Sequence, residues 1–226
     1  MSLKQKPAAK AKVRVFLVDD HPIVRRGFQL LIGLEKDLAV CGETDSGPAA
    51  LEKILVLKPE VAIVDLTLKT SSGLELIKQL HIHCPKLKIL VFSMRDEGVY
   101  AERALHAGAH GYITKEEGTE KAIEAIRVIM TGRRFLSERV SAKMMDRILG
   151  DGLQPEASFE SLSDREVEVL ELIGNGASSR EIAERFHLSI KTVESHREHL
   201  KTKLGLKRSS ELVNYAFTWV HEKRQT

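Results

Sequence analysis

Five residues scattered along the chain have the types needed to act together on a phosphoryl group. Asp19 and Asp20 close the apolar run that begins at Val13, Asp65 closes the run from Val61, Ser93 ends KILVFS, and Lys115 follows GYIT. Three neighbouring carboxylates repel and raise one another's pKa values. A hard divalent cation removes that conflict, since Mg2+ takes about six oxygen ligands and often keeps waters among them. Asp20 and Asp65 suit direct ligation, with a backbone carbonyl near Thr67 and a water held by Asp19. Beside such an ion a carboxylate can attack phosphorus, a reaction that asks mainly for positioning and charge neutralisation. Asp65 would be the nucleophile, Lys115 would pair with a phosphoryl oxygen, and Ser93 would donate its hydroxyl to the new phosphate.

These residues meet only if the chain positions them. Residues 13–19, 38–43, 61–66, 88–93 and 111–114 read as strands, and helical patterns follow over 22–34, 47–57, 73–83, 96–109 and 119–130. In the first helix Ile23, Gly27, Leu30, Leu31 and Leu34 fall on one side. Strands apolar on both faces belong to a parallel sheet covered by helices. Five β-α repeats predict an α/β doubly wound, flavodoxin-like five-stranded sheet, whose ligands bind at the carboxyl ends of the strands. All five chemical residues lie at such ends.

The length of 226 residues fits one large domain or two small ones. Hydrophobic residues make up 42% and charged residues 30%, and no apolar run approaches the roughly 18–20 residues of a membrane helix. The basic N-terminus, MSLKQKPAAKAK, has no apolar segment behind it of secretory type and reads as a disordered lead-in. Cys41 and Cys84 form no metal-type pair, so both are expected reduced and buried, in a cytoplasmic protein. The net charge of +3 excludes little by itself.

The pattern changes after residue 132. Residues 137–150 suit a helix or a linker, and DGLQPEASFE (151–160) reads as a flexible hinge. From Leu162 onward the chain is helical. Ser163 with Glu166 forms a capping box, Asn175-Gly176 stops that helix, and Ser178 or Ser179 caps the next. A longer helix from Ile190 ends at Gly205, and a last one starts near Ser209 or Ser210. The short second helix, a turn at Leu188-Ser189 and the longer helix make a helix-turn-helix. Val193, His196, Leu200 and Leu204 of the longer helix should pack on the core. Between 191 and 208 six bases face two acids, although 158–226 carries eleven of each sign. The excess is local, as a DNA-facing surface requires. His81 and His83 point apart and are read as surface residues. His21 is read as orienting the acidic loop, His196 as buried, and Phe28, Phe92 and Phe135 as core.

Residues 13–130 resemble the receiver domain of bacterial two-component response regulators through VDDHPIVRRG, VAIVDL, VFSMRD and GAHGYITK. The resemblance makes Asp19 and Asp20 the metal-binding acidic pair, Asp65 the phosphoacceptor, Ser93 the switch hydroxyl, Tyr112 the switch aromatic and Lys115 the invariant lysine. It implies Mg2+ (or Mn2+), a cognate sensor histidine kinase, and a phosphorelay in which Ser93 moves toward the phosphate and Tyr112 fills the space it leaves. One departure lies in DLTLKTSSG (65–73), where Leu68-Lys69 replaces the family's Met-Pro. The usual interval to Gly73 is kept, so the loop should close. Thr67 and Arg95 would flank the acyl phosphate. LSDREVEVLELI, REIAERF and TVESHREHLKTKLGL resemble LuxR-type DNA-binding domains, and the whole chain resembles regulators of the NarL/FixJ class. The implied parts are a receiver over 13–132, a linker over 133–160 and a DNA-binding domain over 161–222. On double-stranded promoter DNA, Lys191, Glu194, Ser195 and Glu198 would lie near base edges, with Thr192 also among the DNA-binding residues. Arg197, Lys201, Lys207 and Arg208 would meet phosphates, and the domains would pair as a homodimer.

Two other classes compete. A phosphohydrolase with an aspartyl nucleophile would want a second Asp at 67, where Thr67 stands, and a dinucleotide enzyme would want a Gly-rich turn where DDHPIV stands. A binding module independent of phosphorylation would not need the full acidic set.

Overall fold

The computed structural model describes residues 11–68, 71–149, 159 and 161–222. The lead-in to residue 10, Lys69 and the hinge over 151–158 lie outside the described residues. The chain divides into two compact units, Met1–Leu136 and Ser137–Thr226.

The first unit runs β1 (Val13–Val18), α1 (Pro22–Leu34), β2 (Leu38–Thr44), α2 (Gly47–Leu57), β3 (Val61–Val64), α3 (Gly73–His83), β4 (Lys88–Ser93), α4 (Glu97–Ala107), β5 (Gly111–Thr114) and α5 (Thr119–Met130). All five strands are parallel, in the order β2-β1-β3-β4-β5. Val15 and Leu17 face one side of the sheet and join Phe28, Ile32 and the apolar stripe of α5 in one core cluster. Phe16 and Val18, which alternate with them, are buried as well. Burial of both faces explains why these strands read as unbroken apolar runs. Phe28 meets Phe92 edge-on, with ring centroids 5.0 Å apart. The strand order reverses between β1 and β3, and that reversal opens a crevice at their carboxyl ends.

Two expectations are corrected here. The packed side of α1 is carried by Phe28 and Ile32, not by the set that includes Ile23, Leu30 and Leu34; these three are 79%, 72% and 81% exposed. The two free cysteines are half-buried rather than buried. Burial still lifts both thiols above their ordinary pKa.

β5 is an edge strand, and an unpaired edge needs cover. Residues returning after α5 supply it. Gly111 forms a parallel bridge with Phe135. The Phe135 N–H donates to His110 O at 3.1 Å, and the Tyr112 N–H donates to Phe135 O at 2.9 Å. His110 Nδ1 in turn lies 3.3 Å from the Ile89 N–H that it accepts. Burial and the nearby Lys88 and Arg134 pull the His110 pKa from 6.5 to about 4. This ring stays neutral in the fold while the unfolded chain takes up a proton, so stability is lost as pH falls from 6.5 toward 4. His110→Gln should remove about 1 kcal/mol of that loss, after solvent screening of a half-exposed ring is allowed for. Urea unfolding of both proteins at pH 7 and pH 5 checks it; an unchanged pH difference in the variant refutes the assignment.

The second unit holds α6 (Glu138–Leu149), α7 (Asp164–Gly174), α8 (Ser179–Phe186), α9 (Ile190–Lys203) and α10 (Ser209–Glu222). Ser163 and Ser178 form capping boxes with Glu166 and Glu181, and Ser189 caps α9 through the Thr192 N–H. The turn between α8 and α9 is sharp because His187 takes a left-handed conformation. Val167, Leu170, Val193 and Leu200 are fully buried. α7 crosses α10 so closely that a Cβ on Gly174 would lie 2.3 Å from Ala216 O.

Candidate functional site

The loops after β1, β3, β4 and β5 bring the five predicted residues together. Asp65 is 2% exposed and Ser93 is fully buried. Asp65 Oδ1 accepts from Ser93 Oγ at 2.7 Å and from the Thr67 N–H at 3.0 Å. Asp65 Oδ2 accepts from Lys115 Nζ at 2.6 Å, and the same ammonium lies 2.7 Å from Asp19 Oδ2. Burial alone would lower the Lys115 pKa, but the two carboxylates outweigh it and hold the lysine above its ordinary range. Burial lifts the Asp19 carboxyl above its own range, against the Lys115 hydrogen bond. One ammonium thus serves both carboxylates.

Asp20 is placed differently. His21 Nδ1 lies 2.6 Å from Asp20 Oδ1 but off the line a hydrogen bond needs, and that oxygen is buried without a hydrogen-bond partner. Oxygens of Asp19, Asp20 and Asp65 and a ring nitrogen of His21 all lie within 4.8 Å of one another. A buried carboxylate oxygen with no donor is costly, and a hard cation satisfies it. His21 does orient the acidic loop: its N–H donates to Asp19 Oδ1 at 2.8 Å.

Arg25 was missed from sequence. Its guanidinium donates to Asp19 O at 2.6 Å and approaches Glu43 at 3.5 Å, so it fixes the backbone of the acidic loop. The available signal was a base on the first turn of a helix that starts beside two acids.

The loop after Asp65 closes through a Thr67–Ser72 bridge, and the Gly73 N–H donates to Leu66 O at 3.0 Å. Leu68 is buried. Thr67 and Arg95 meet directly, with Arg95 Nε 3.0 Å from Thr67 Oγ1. Tyr112 is 1% exposed, and its hydroxyl donates to Arg95 O at 2.9 Å. Ser93 and Tyr112 both point inward in this structure.

In the second unit Lys191, Thr192, Glu194, Ser195 and Glu198 are exposed on α9, and Lys207 and Arg208 are exposed just after it. Arg197 and Lys201 differ. Each side chain is 14% exposed; Arg197 lies 3.9 Å from Glu194 and Lys201 lies 2.9 Å from Glu198. The acids on α9 therefore hold two of its bases along the helix. Lys203 is turned away from this surface, since its Nζ donates to Glu166 at 2.7 Å and to Ser161 O at 2.9 Å. Burial would raise the Glu166 pKa, but Lys203 and the cap donors hold it below its usual range. His196 is half-buried, and burial lowers its pKa.

An Asp-Ser-Lys crevice on a parallel sheet, followed by a capped helix-turn-helix, defines a class. The chain belongs to the two-component response regulators of the NarL/FixJ class, in which a receiver domain precedes a LuxR-type DNA-binding domain. Residues 15–127 match the response regulator receiver domain family, and residues 160–216 match the luxR family of bacterial regulatory proteins. The oxygen regulatory protein NreC of Staphylococcus aureus is 35% identical over 209 residues, covering 90% of this chain and 96% of its own. RcsB of Salmonella enterica serovar Typhimurium, solved on promoter P1flhDC with the phosphomimetic BeF3-, is 28% identical with a TM-score of 0.66. That match covers 91% of this chain and 98% of RcsB. A LuxR-family regulator from Aurantimonas is 32% identical, with a TM-score of 0.57, over 62% of this chain and 99% of its own. The chain is a DNA-binding transcriptional response regulator. Among the described residues, no helix is long and apolar enough to cross a membrane.

Proposed function

We propose that a sensor histidine kinase transfers a phosphoryl group to Asp65 and that the modified receiver licenses the LuxR-type domain to pair on promoter DNA. The receiver spans 13–132 and the DNA-binding domain 161–222, joined by 133–160. The observation that carries this reading is the donor set on Asp65: Ser93 Oγ, Lys115 Nζ and the Thr67 N–H all meet one buried carboxylate. A new bond forms from an Asp65 oxygen to phosphorus while the bond from phosphorus to the kinase's histidine nitrogen breaks. Ser93 and Lys115 then pass their hydrogen bonds to phosphoryl oxygens, so the charge that arrives is met by groups already in place.

The orphaned Asp20 oxygen fits Mg2+, or Mn2+ in its place. Asp20, Asp65 and the Thr67 backbone carbonyl would hold the ion, with Asp19 acting through a water. When bound it supplies neutralisation of phosphoryl oxygens. The chain's own chemistry is limited to taking the phosphate and losing it by hydrolysis, so it is no enzyme in the turnover sense. It works in the cytoplasm, where its kinase partner and DNA meet it. On DNA it acts as a homodimer, as the solved RcsB complex with two dimers on DNA suggests by likeness. There Lys191, Thr192, Glu194, Ser195 and Glu198 meet base edges, and Lys207 and Arg208 meet phosphates, as do Arg197 and Lys201 once freed from their acids.

Asp65→Asn tests the reading. Incubated with acetyl phosphate and Mg2+, the wild type should gain one phosphoryl group per chain by intact mass, and the variant none. Phosphate uptake by the variant at the wild-type rate would falsify the role of Asp65.

A further inference from the structure

The phosphoacceptor is joined to the chain leaving the receiver by an unbroken run of hydrogen bonds. Ser93 Oγ holds Asp65, and two residues on, Arg95 O accepts from the Tyr112 hydroxyl at 2.9 Å. Tyr112 N–H then donates to Phe135 O at 2.9 Å, and Phe135 N–H donates to His110 O at 3.1 Å. The Arg134 guanidinium donates to Ala109 O beside them. The contact is flush: a Cβ on Gly111 would lie 2.9 Å from Phe135 O and 3.1 Å from Phe135 Cβ.

The chain beyond Phe135 has little slack. The Val140 N–H donates to Ser137 Oγ at 3.2 Å and the Ser141 N–H to Ser137 O at 3.0 Å. Ser137 therefore starts α6, and only Leu136 and Ser137 separate the bridge from that helix. Two extended residues span about 7 Å at most. A displacement of Phe135 therefore has only a short covalent path to α6.

We propose that residues 133–136 are a strap that carries the state of the phosphorylation site out of the receiver and into α6. It rests on the reading of Asp65 as phosphoacceptor. Two bonds hold Phe135, one from the backbone of Tyr112 itself in β5 and one to His110 just before that strand. Any movement of that residue when phosphate arrives displaces the strap, and α6 with it. The competing role, covering a bare sheet edge, needs the bridge but not the short tether.

The test uses the full-length chain, acetyl phosphate with Mg2+, and a duplex enriched from random sequence by the phosphorylated wild type. Two glycines inserted between Leu136 and Ser137 leave the bridge and the helix cap in place and add slack. This variant should take up phosphate at the wild-type rate, while the factor by which phosphate changes its DNA affinity falls about tenfold. Phe135→Pro, which removes the donor to His110 O, should respond in the same way. In the wild type, hydrogen exchange at the Phe135 and Tyr112 amides should change together on phosphorylation. The strap is overturned if the glycine insertion responds to phosphate as the wild type does, or if Tyr112 exchange changes while Phe135 exchange stays fixed. Either result leaves Asp65 as phosphoacceptor intact; a wild type that takes up no phosphate removes both readings. The insertion and the exchange measurement decide the matter even if the proline variant does not fold.

Discussion

Gly73→Ala is expected to cost about 3 kcal/mol of receiver stability and to slow phosphorylation about a hundredfold. Gly73 opens α3, where its backbone is not left-handed, so conformation is not the obstacle. Space is. A Cβ there would lie 2.2 Å from Asp65 O and 2.5 Å from Leu66 Cα. Both obstacles are backbone, so no side chain can swing aside, and α3 and the β3 terminus must part. Overpacking of this kind costs typically about 1–3 kcal/mol, and rigid neighbours put it at the upper end. The same parting moves Asp65, whose three donors sit at 2.6–3.0 Å. A displacement of about 1 Å in a reacting group costs about a hundredfold in rate. Urea unfolding and timed phosphate incorporation measure the two effects. A variant that unfolds and phosphorylates like the wild type would show that α3 does not press on Asp65.

Lys115→Met should cost at least as much stability, by a different route. The ammonium lies 2.6 Å from Asp65 and 2.7 Å from Asp19, and all three side chains are at most 8% exposed. Removing one partner of a buried ion pair leaves an uncompensated charge and costs about 3–5 kcal/mol. Here two carboxylates are left facing each other. Asp19, which burial already lifts above its ordinary range, then has no ammonium to offset that, so the penalty is full at neutral pH and fades as pH falls and this carboxyl protonates. The stability gap between wild type and variant should therefore narrow from pH 7 to pH 5. Added Mg2+ should raise the Tm of the variant more than that of the wild type, because a bound cation replaces the lost charge and stabilises by mass action. Thermal unfolding at two pH values with and without Mg2+ covers both; a gap that widens on acidification contradicts the charge assignment.

Much of this was legible in the sequence because the sheet is buried on both faces. Such strands announce themselves as apolar runs, and their carboxyl ends then collect Asp19, Asp20, Asp65, Ser93 and Lys115 without further information. The capping boxes at Ser163 and Ser178 are local and were equally readable. α1 was not. It carries apolar residues nearly all round, and periodicity chooses Ile23, Leu30 and Leu34 as readily as Phe28 and Ile32. The tilt of the helix on the sheet decides, and that is a tertiary fact. Arg25 and Lys203 escaped for a related reason. A base on a helix reads as solvated until the acid that faces it is known, and Glu43 and Glu166 come from other elements. Among the bases of α9, charge counting could not separate those held by Glu194 and Glu198 from those left exposed.

Tyr112 is already seated against the carbonyl of Arg95, and if it is the switch aromatic of the proposed phosphorelay, this sets a ceiling on what a kinase can achieve. Phosphate can amplify output only by the reciprocal of the fraction of molecules that are in place beforehand. With one molecule in ten so arranged at rest, the gain from full stimulation is about tenfold and no more. On that reading the quiet-state level of the target genes would be written into the strength of one tyrosine hydrogen bond, and weakening it would lower that level and widen the dynamic range together.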